Sequence, residues 1–168
     1  RVLSTISESE TPVYLCWSQT EQKYFALKVC PYLLIQKQKL LSLKHPNIIS
    51  IYDIQAKNFS KSNSSNEEEN VQSLIFMELA KHGDFASLIR TKTVPKDEKF
   101  TRTYFRQLIE GLEYLHKNQI YHYNLRLEDL LVGKGHMLKI TNYGFEFDYR
   151  NKNYQAPELD FERNVDPK

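Results

Sequence analysis

Glycine is scarce in this chain, 5 in 168 residues, and none precedes Gly83. A loop that wraps a polyphosphate brings backbone N–H groups to close range, which glycine permits and side chains obstruct. The first half therefore holds no glycine-rich phosphate loop. Cysteine is limited to Cys16 and Cys30, in no metal-ligand spacing, which argues against a disulfide scaffold and suits a reduced intracellular, cytoplasmic setting. No apolar run approaches the ~20 residues needed to span a bilayer, so no membrane role is expected. Charge of one sign is lacking as well: 23 Lys and Arg stand among 21 Asp and Glu, a net +2. Without a basic stripe, nucleic acid is not expected as a partner. Arg1-Val2-Leu3-Ser4 is neither a signal peptide nor an initiator start, and the chain reads as an excised piece. No internal repeat at solenoid or propeller periods is present.

What is there is 40% hydrophobic, enough for one good core or two small lobes. Residues 13–17 and 24–29 are β-branched and aromatic runs around a polar turn, an expected antiparallel hairpin. Leu33, Gln36, Leu40 and Leu43 fall at helical spacing, ending before His45-Pro46, where proline disfavours helix in its predecessor. Strands are expected at 48–54 and 73–77, separated by a polar insertion over 57–72 that reads as a disordered loop. Helices follow at 84–90 and 95–117. The longer one carries Tyr104, Phe105, Leu108, Ile109, Leu112 and Leu115 on one face, with Pro95 in its first turn. Residues 130–132 and 137–140 flank Gly133-Lys134-Gly135-His136, a small hairpin.

Seven motifs occur in order along this pattern: Ala26-Leu27-Lys28, His45-Pro46-Asn47-Ile48, Met77-Glu78-Leu79, Tyr104-Phe105-Arg106-Gln107-Leu108, His122-Tyr123-Asn124-Leu125, Asn142-Tyr143-Gly144 and Ala156-Pro157-Glu158. Singly each is weak; together they are specific. The chain resembles the eukaryotic protein kinases, most closely the calcium/calmodulin-like serine/threonine group. The resemblance implies an α+β, two-lobed fold with ATP in its cleft. Residues 1–78 would form a β-rich N-lobe and 79–168 part of a helical C-lobe, the central helix of that lobe lying beyond residue 168.

Several reactive positions depart from the family pattern. Lys28 matches the lysine that contacts the α and β phosphates, but its helix partner is Gln36, which supplies no counter-charge. Glu146 or Asp148 is the expected substitute counter-ion. The glycine positions of the nucleotide loop fall on Ile6, Glu8 and Thr11. Asn124 stands where the family keeps its catalytic base, and an amide is not basic. Tyr123 replaces the arginine that pairs with a phosphorylated activation segment, while Arg126 keeps the charge of the phosphate-contacting lysine. The metal-ligand positions are Asp129 and Asn142, carboxylate and amide exchanged relative to the family. Val13, Ala26 and Leu131 match the walls of the adenine slot, Met77 the gatekeeper, Glu78 and Ala80 the hinge, and Asp84 the ribose contact. His122, Tyr143 and Leu40 match the internal hydrophobic stack.

Fold alone does not grant activity. The residues lead to the expectation of a pseudokinase, a binding or allosteric module for a protein partner, with weak affinity for ATP or another adenine nucleotide and little use of magnesium. The alternative is an active or weakly active ATP-dependent serine/threonine kinase working with the exchanged metal pair.

Overall fold

The computed structural model describes residues 1–8, 11–30, 36–59, 70–95 and 97–144. They fall into two compact units, one within 1–44 and 50–79, the other within 45–49 and 80–144. The division differs from a single break after residue 78. His45–Ile49 joins the second unit because Ile49 N–H donates to Ile140 O at 2.8 Å and Ile140 N–H to Asn47 O at 2.9 Å, a parallel bridge centred on Ile48 and Ile140.

The first unit is an antiparallel sheet in the order β1-β2-β3-β5-β4. Its strands are β1 (Val2–Ser7), β2 (Val13–Ser18), β3 (Lys23–Cys30), β4 (Ile51–Phe59) and β5 (Asn70–Met77). The expected hairpin is β2–β3, with Val13 opposite Lys28 and Leu15 opposite Ala26. Side chains alternate in β3, so Ala26, Lys28 and Cys30 share the buried face. Helix α1 (Lys37–Ser42) buries Leu40; Leu33 lies outside the described residues. Strand β1 has no counterpart among the expected elements, since its serines and threonine mask the pattern and all six of its residues are exposed. The supposed insertion is also shorter: Lys57 pairs with Gln72 and Phe59 with Asn70, so both ends of 57–72 are strand.

The second unit contains α2 (Phe85–Arg90), α3 (Glu98–Lys117), a 3-10 turn at Leu127–Asp129, and the hairpin β6 (Leu130–Val132) and β7 (Leu138–Ile140). Helix α3 starts later than expected. Asp97 is its N-cap, accepting the Phe100 N–H at 2.6 Å, so Pro95 lies outside the first turn; a capping carboxylate satisfies an orphan donor that proline merely lacks. The helix carries exposed ion pairs at i,i+4, Arg106 with Glu110 at 2.9 Å and Lys117 with Glu113 at 2.6 Å, which solvent screens and which add little to stability. Its buried face is narrower than the apolar pattern. Phe105 is 61% and Ile109 48% exposed, while Gln107 and Gly111 face inward.

That inward face holds the unit together. Asn47, 1% exposed, donates its amide to Gln107 Oε1 at 3.1 Å and to Leu138 O at 3.0 Å. Gln107 Oε1 also accepts the Leu138 N–H at 2.8 Å. One asparagine and one glutamine thus fasten the 45–49 segment, α3 and β7. Gly111 is required at the crossing, where an added Cβ would lie 2.7 Å from Ile140 Cδ1 and 2.9 Å from Asn47 O.

Gly111→Ala is expected to destabilise the protein by about 1 to 2 kcal/mol in urea unfolding, overpacking outweighing the gain in helix propensity; a higher unfolding midpoint would contradict it. A second expectation concerns His45, which stacks on Tyr114 with centroids 4.9 Å apart and whose Nδ1 accepts the Asn47 N–H at 3.1 Å. Burial holds its imidazole below the ordinary value, against the pull of Glu110 and with that of Lys139. Its contribution to stability is therefore present above the ordinary pKa of about 6.5 and lost as pH falls through the folded value. Between about pH 7 and pH 5, Tm should fall more steeply for the native protein than for His45→Gln; parallel profiles would refute the assignment.

Candidate functional site

The His122-Tyr123-Asn124 segment is a three-residue turn, with Asn124 N–H donating to His122 O at 2.7 Å and Tyr123 at φ 59°. A positive φ is costly for an aromatic residue, so this backbone is held by its surroundings. The Tyr123 ring packs against Tyr121 at 5.8 Å, and Tyr121 against His116 at 5.2 Å. His122 donates from Nε2 to Thr141 O at 2.8 Å. Burial pushes its imidazole below the usual value, the Asp129 carboxylate opposing the shift.

Asp129 is the centre of this region. It is 1% exposed and ends the 3-10 turn Leu127–Asp129 that follows His122-Tyr123-Asn124-Leu125. Its Oδ1 accepts the Asn142 amide at 2.6 Å, and its Oδ2 accepts the Arg126 backbone N–H at 3.1 Å. Arg126 Nε lies 3.7 Å from the same Oδ2. The Asp129 carbonyl accepts the Thr141 N–H at 2.9 Å. Asn142 reaches the carboxylate from a left-handed backbone, φ 60°, a conformation asparagine tolerates better than most side chains. Next to it Tyr143, 1% exposed, donates its hydroxyl to Ile49 O.

In the first unit four of the expected positions meet on one sheet face. Val13 opposes Lys28, and Ala26 opposes Met77. Lys28 is 7% exposed, so its ammonium is carried on the buried side of the sheet. Its expected counter-ions, Glu146 and Asp148, lie outside the described residues, as does Ala156-Pro157-Glu158. Gln36 is exposed at the N-cap of α1. Ile6 lies within β1 and is 51% exposed; Glu8 and Thr11 follow it.

A profile of the protein kinase domain matches residues 9–161. The chain belongs to the protein kinase family. It is 31% identical over 113 residues to NUAK family SNF1-like kinase 1 of Mus musculus, covering 67% of this chain and 15% of that protein. It is 29% identical over 139 residues to MAP kinase kinase kinase SSK2 of Saccharomyces cerevisiae, covering 83% and 8%. CBL-interacting protein kinase 26 of Oryza sativa subsp. japonica is 31% identical over 116 residues, covering 67% and 21%. These alignments span only about a fifth or less of each relative's length.

Set against the kinase pattern, the hinge and ribose positions have local duties. Glu78 exchanges backbone and side-chain bonds with Ser50, 2.9 Å from Glu78 N to Ser50 O and 3.3 Å from Ser50 N to Glu78 Oε2. Asp84 caps α2, accepting Ser87 N–H at 2.7 Å and Ser87 Oγ–H at 2.8 Å. Both carboxylate oxygens are thereby engaged; the Asp84-x-x-Ser87 spacing is itself a capping signal. Ala80 and Leu131 are half-buried in the second unit, Leu131 bridging to Asp84. Sequence reasoning missed Thr141, Asn47 and Gln107 as organisers, although the last two lie inside quoted motifs.

The kinase family uses ATP and magnesium, so the metal positions need a test of fit. Magnesium requires an octahedron of oxygens and retains several waters. Asp129 instead offers a carboxylate enclosed by a guanidinium and by two N–H donors, with little exposed surface. Among the described residues no cluster of three or more His, Cys, Asp or Glu exists. As arranged, these residues do not fit a magnesium ion.

Asp129→Ala should cost about 3 to 5 kcal/mol, because it strands the Arg126 charge beside a buried site and removes the acceptor for Asn142. A loss below about 1 kcal/mol by thermal or urea unfolding would place the pair with exposed ion pairs and contradict the burial argument.

Proposed function

We propose that this kinase-family chain is a pseudokinase module, one whose output is binding or allosteric control of a protein partner, with little or no phosphotransfer. Asn124 carries the reading. At the base position an amide can orient a hydroxyl but takes no proton, and general-base catalysis typically contributes ~10² to 10⁴ in rate, roughly 3 to 5 kcal/mol. The glycine-free start supports it, since close backbone approach to phosphates is obstructed there. Gln36, an exposed amide at the position of the lysine's helix partner, supports it further. An adenine nucleotide would be held weakly by the face that Val13, Ala26 and Met77 share, without the phosphate grip that drives transfer. In this reading the intracellular module keeps the family's shape and presents it to another protein.

A phosphotransfer assay with labelled ATP, on the full-length protein, tests this directly. Any incorporated phosphate is expected to be unchanged by Lys28→Met, and Asn124→Asp alone is expected to leave turnover at background. Incorporation that Lys28→Met abolishes would instead establish the active serine/threonine kinase as the function.

A further inference from the structure

The exchange of carboxylate and amide between the two metal-ligand positions moves the negative charge from one depth to another. Asn142 is half-buried, whereas the Asp129 side chain is 2% exposed. In the family arrangement the carboxylate would occupy the more accessible position and the amide the buried one. Here the buried position holds the charge, and a buried charge is stable only when fully engaged by donors or an opposite charge. Arg126 provides both, through its backbone N–H at 3.1 Å and its guanidinium at 3.7 Å, and Asn142 takes the other oxygen at 2.6 Å. The Thr141 N–H to Asp129 O bond, 2.9 Å, ties the same two segments through backbone.

We infer that the Asp129–Asn142 pair closes upon itself as a metal-independent clasp, the Asn142 amide and the Arg126 cation standing where a divalent ion would otherwise join the two segments. A magnesium ion entering here would have to reverse the Asn142 amide, displace a charge-assisted hydrogen bond and approach a guanidinium of like sign. Each step opposes binding. Any nucleotide taken by this chain is then bound without a divalent cation at these two residues. The inference concerns metal linkage alone and is independent of whether phosphate is transferred.

Thermal unfolding of the full-length protein in EDTA and in about 10 mM magnesium chloride reads the clasp directly, since an ion bound only by the folded state raises Tm. The native protein is expected to melt at the same temperature in both. Asn142→Asp sets two carboxylates together; its Tm should fall in EDTA and recover with magnesium. The double exchange Asp129→Asn with Asn142→Asp should gain a saturable magnesium-dependent rise of roughly 5 °C or more at about one hundred times its Kd. A comparable saturable rise in the native protein, or Asn142→Asp and the double exchange both remaining indifferent to magnesium, would overturn the inference. Phosphotransfer by a native protein whose Tm ignores magnesium would defeat the pseudokinase reading and leave the clasp standing.

Discussion

A carboxylate with 1% of its residue surface exposed must be matched by donors or an opposite charge, and the second unit is built around supplying these to Asp129. The backbone turn at Leu127–Asp129 presents the Arg126 N–H to it, the arginine side chain returns over it, and the left-handed backbone at Asn142 aims an amide at its other oxygen. Charge-assisted bonds of this kind are shorter and stronger than neutral ones. They also make the region an all-or-nothing arrangement, because losing one partner leaves the others buried against a deficit. The two segments that carry the kinase positions are fixed to each other by this requirement.

Asn47 plays the corresponding part on the other side of β7. Its amide and backbone carbonyl engage Gln107, Leu138 and Ile140, so a five-residue segment that precedes β4 in sequence is structurally part of the helical unit. The constraint is steric as well as polar: only a glycine at 111 lets α3 come close enough for Gln107 to reach both Asn47 and the Leu138 N–H. Polar residues buried in pairs and triples specify the arrangement here, and the apolar residues Ile48, Leu115 and Ile140 fill around them.

Much of this was legible in the sequence because the motif residues lie where local signals agree. The hairpin around Gly133 to His136 has apolar runs on both sides of glycine-containing turn chemistry, and β2–β3 has two β-rich runs across a polar turn. Legibility failed where signals compete or are silent. Strand β1 is masked by serine and threonine, and the ends of 57–72 are polar yet held by ladder bonds that polarity does not predict. Pro95 and Asp97 are rival start signals, and the cap prevails. Phe105 and Ile109 look interior by composition but lie one residue off the buried stripe, about 100° around the helix. At the site the residue identities of Asp129, Asn142 and Arg126 were readable, whereas their bonding was not: it depends on a 3-10 turn and a left-handed residue, neither of which has a sequence signal strong enough to predict it.

The shortage of glycine has a structural consequence beyond the missing phosphate loop. Gln22, Lys92, Gln119, Tyr123, His136 and Asn142 all take positive φ without being glycine, and such residues persist only where surroundings determine them, at a cost of order 1 kcal/mol or more each. At Gln22 and Lys92 a tight turn is sufficient reason. Tyr123 and Asn142 differ, for they bracket the reactive positions of the family, and Tyr123 is a poor residue for that backbone. The hydrogen bond across it and the stack onto Tyr121 and His116 hold it in place. The costly backbone at the position of the family's catalytic segment is thus maintained around an amide, which is not basic. Strain held around a non-basic side chain accords with the proposed binding role.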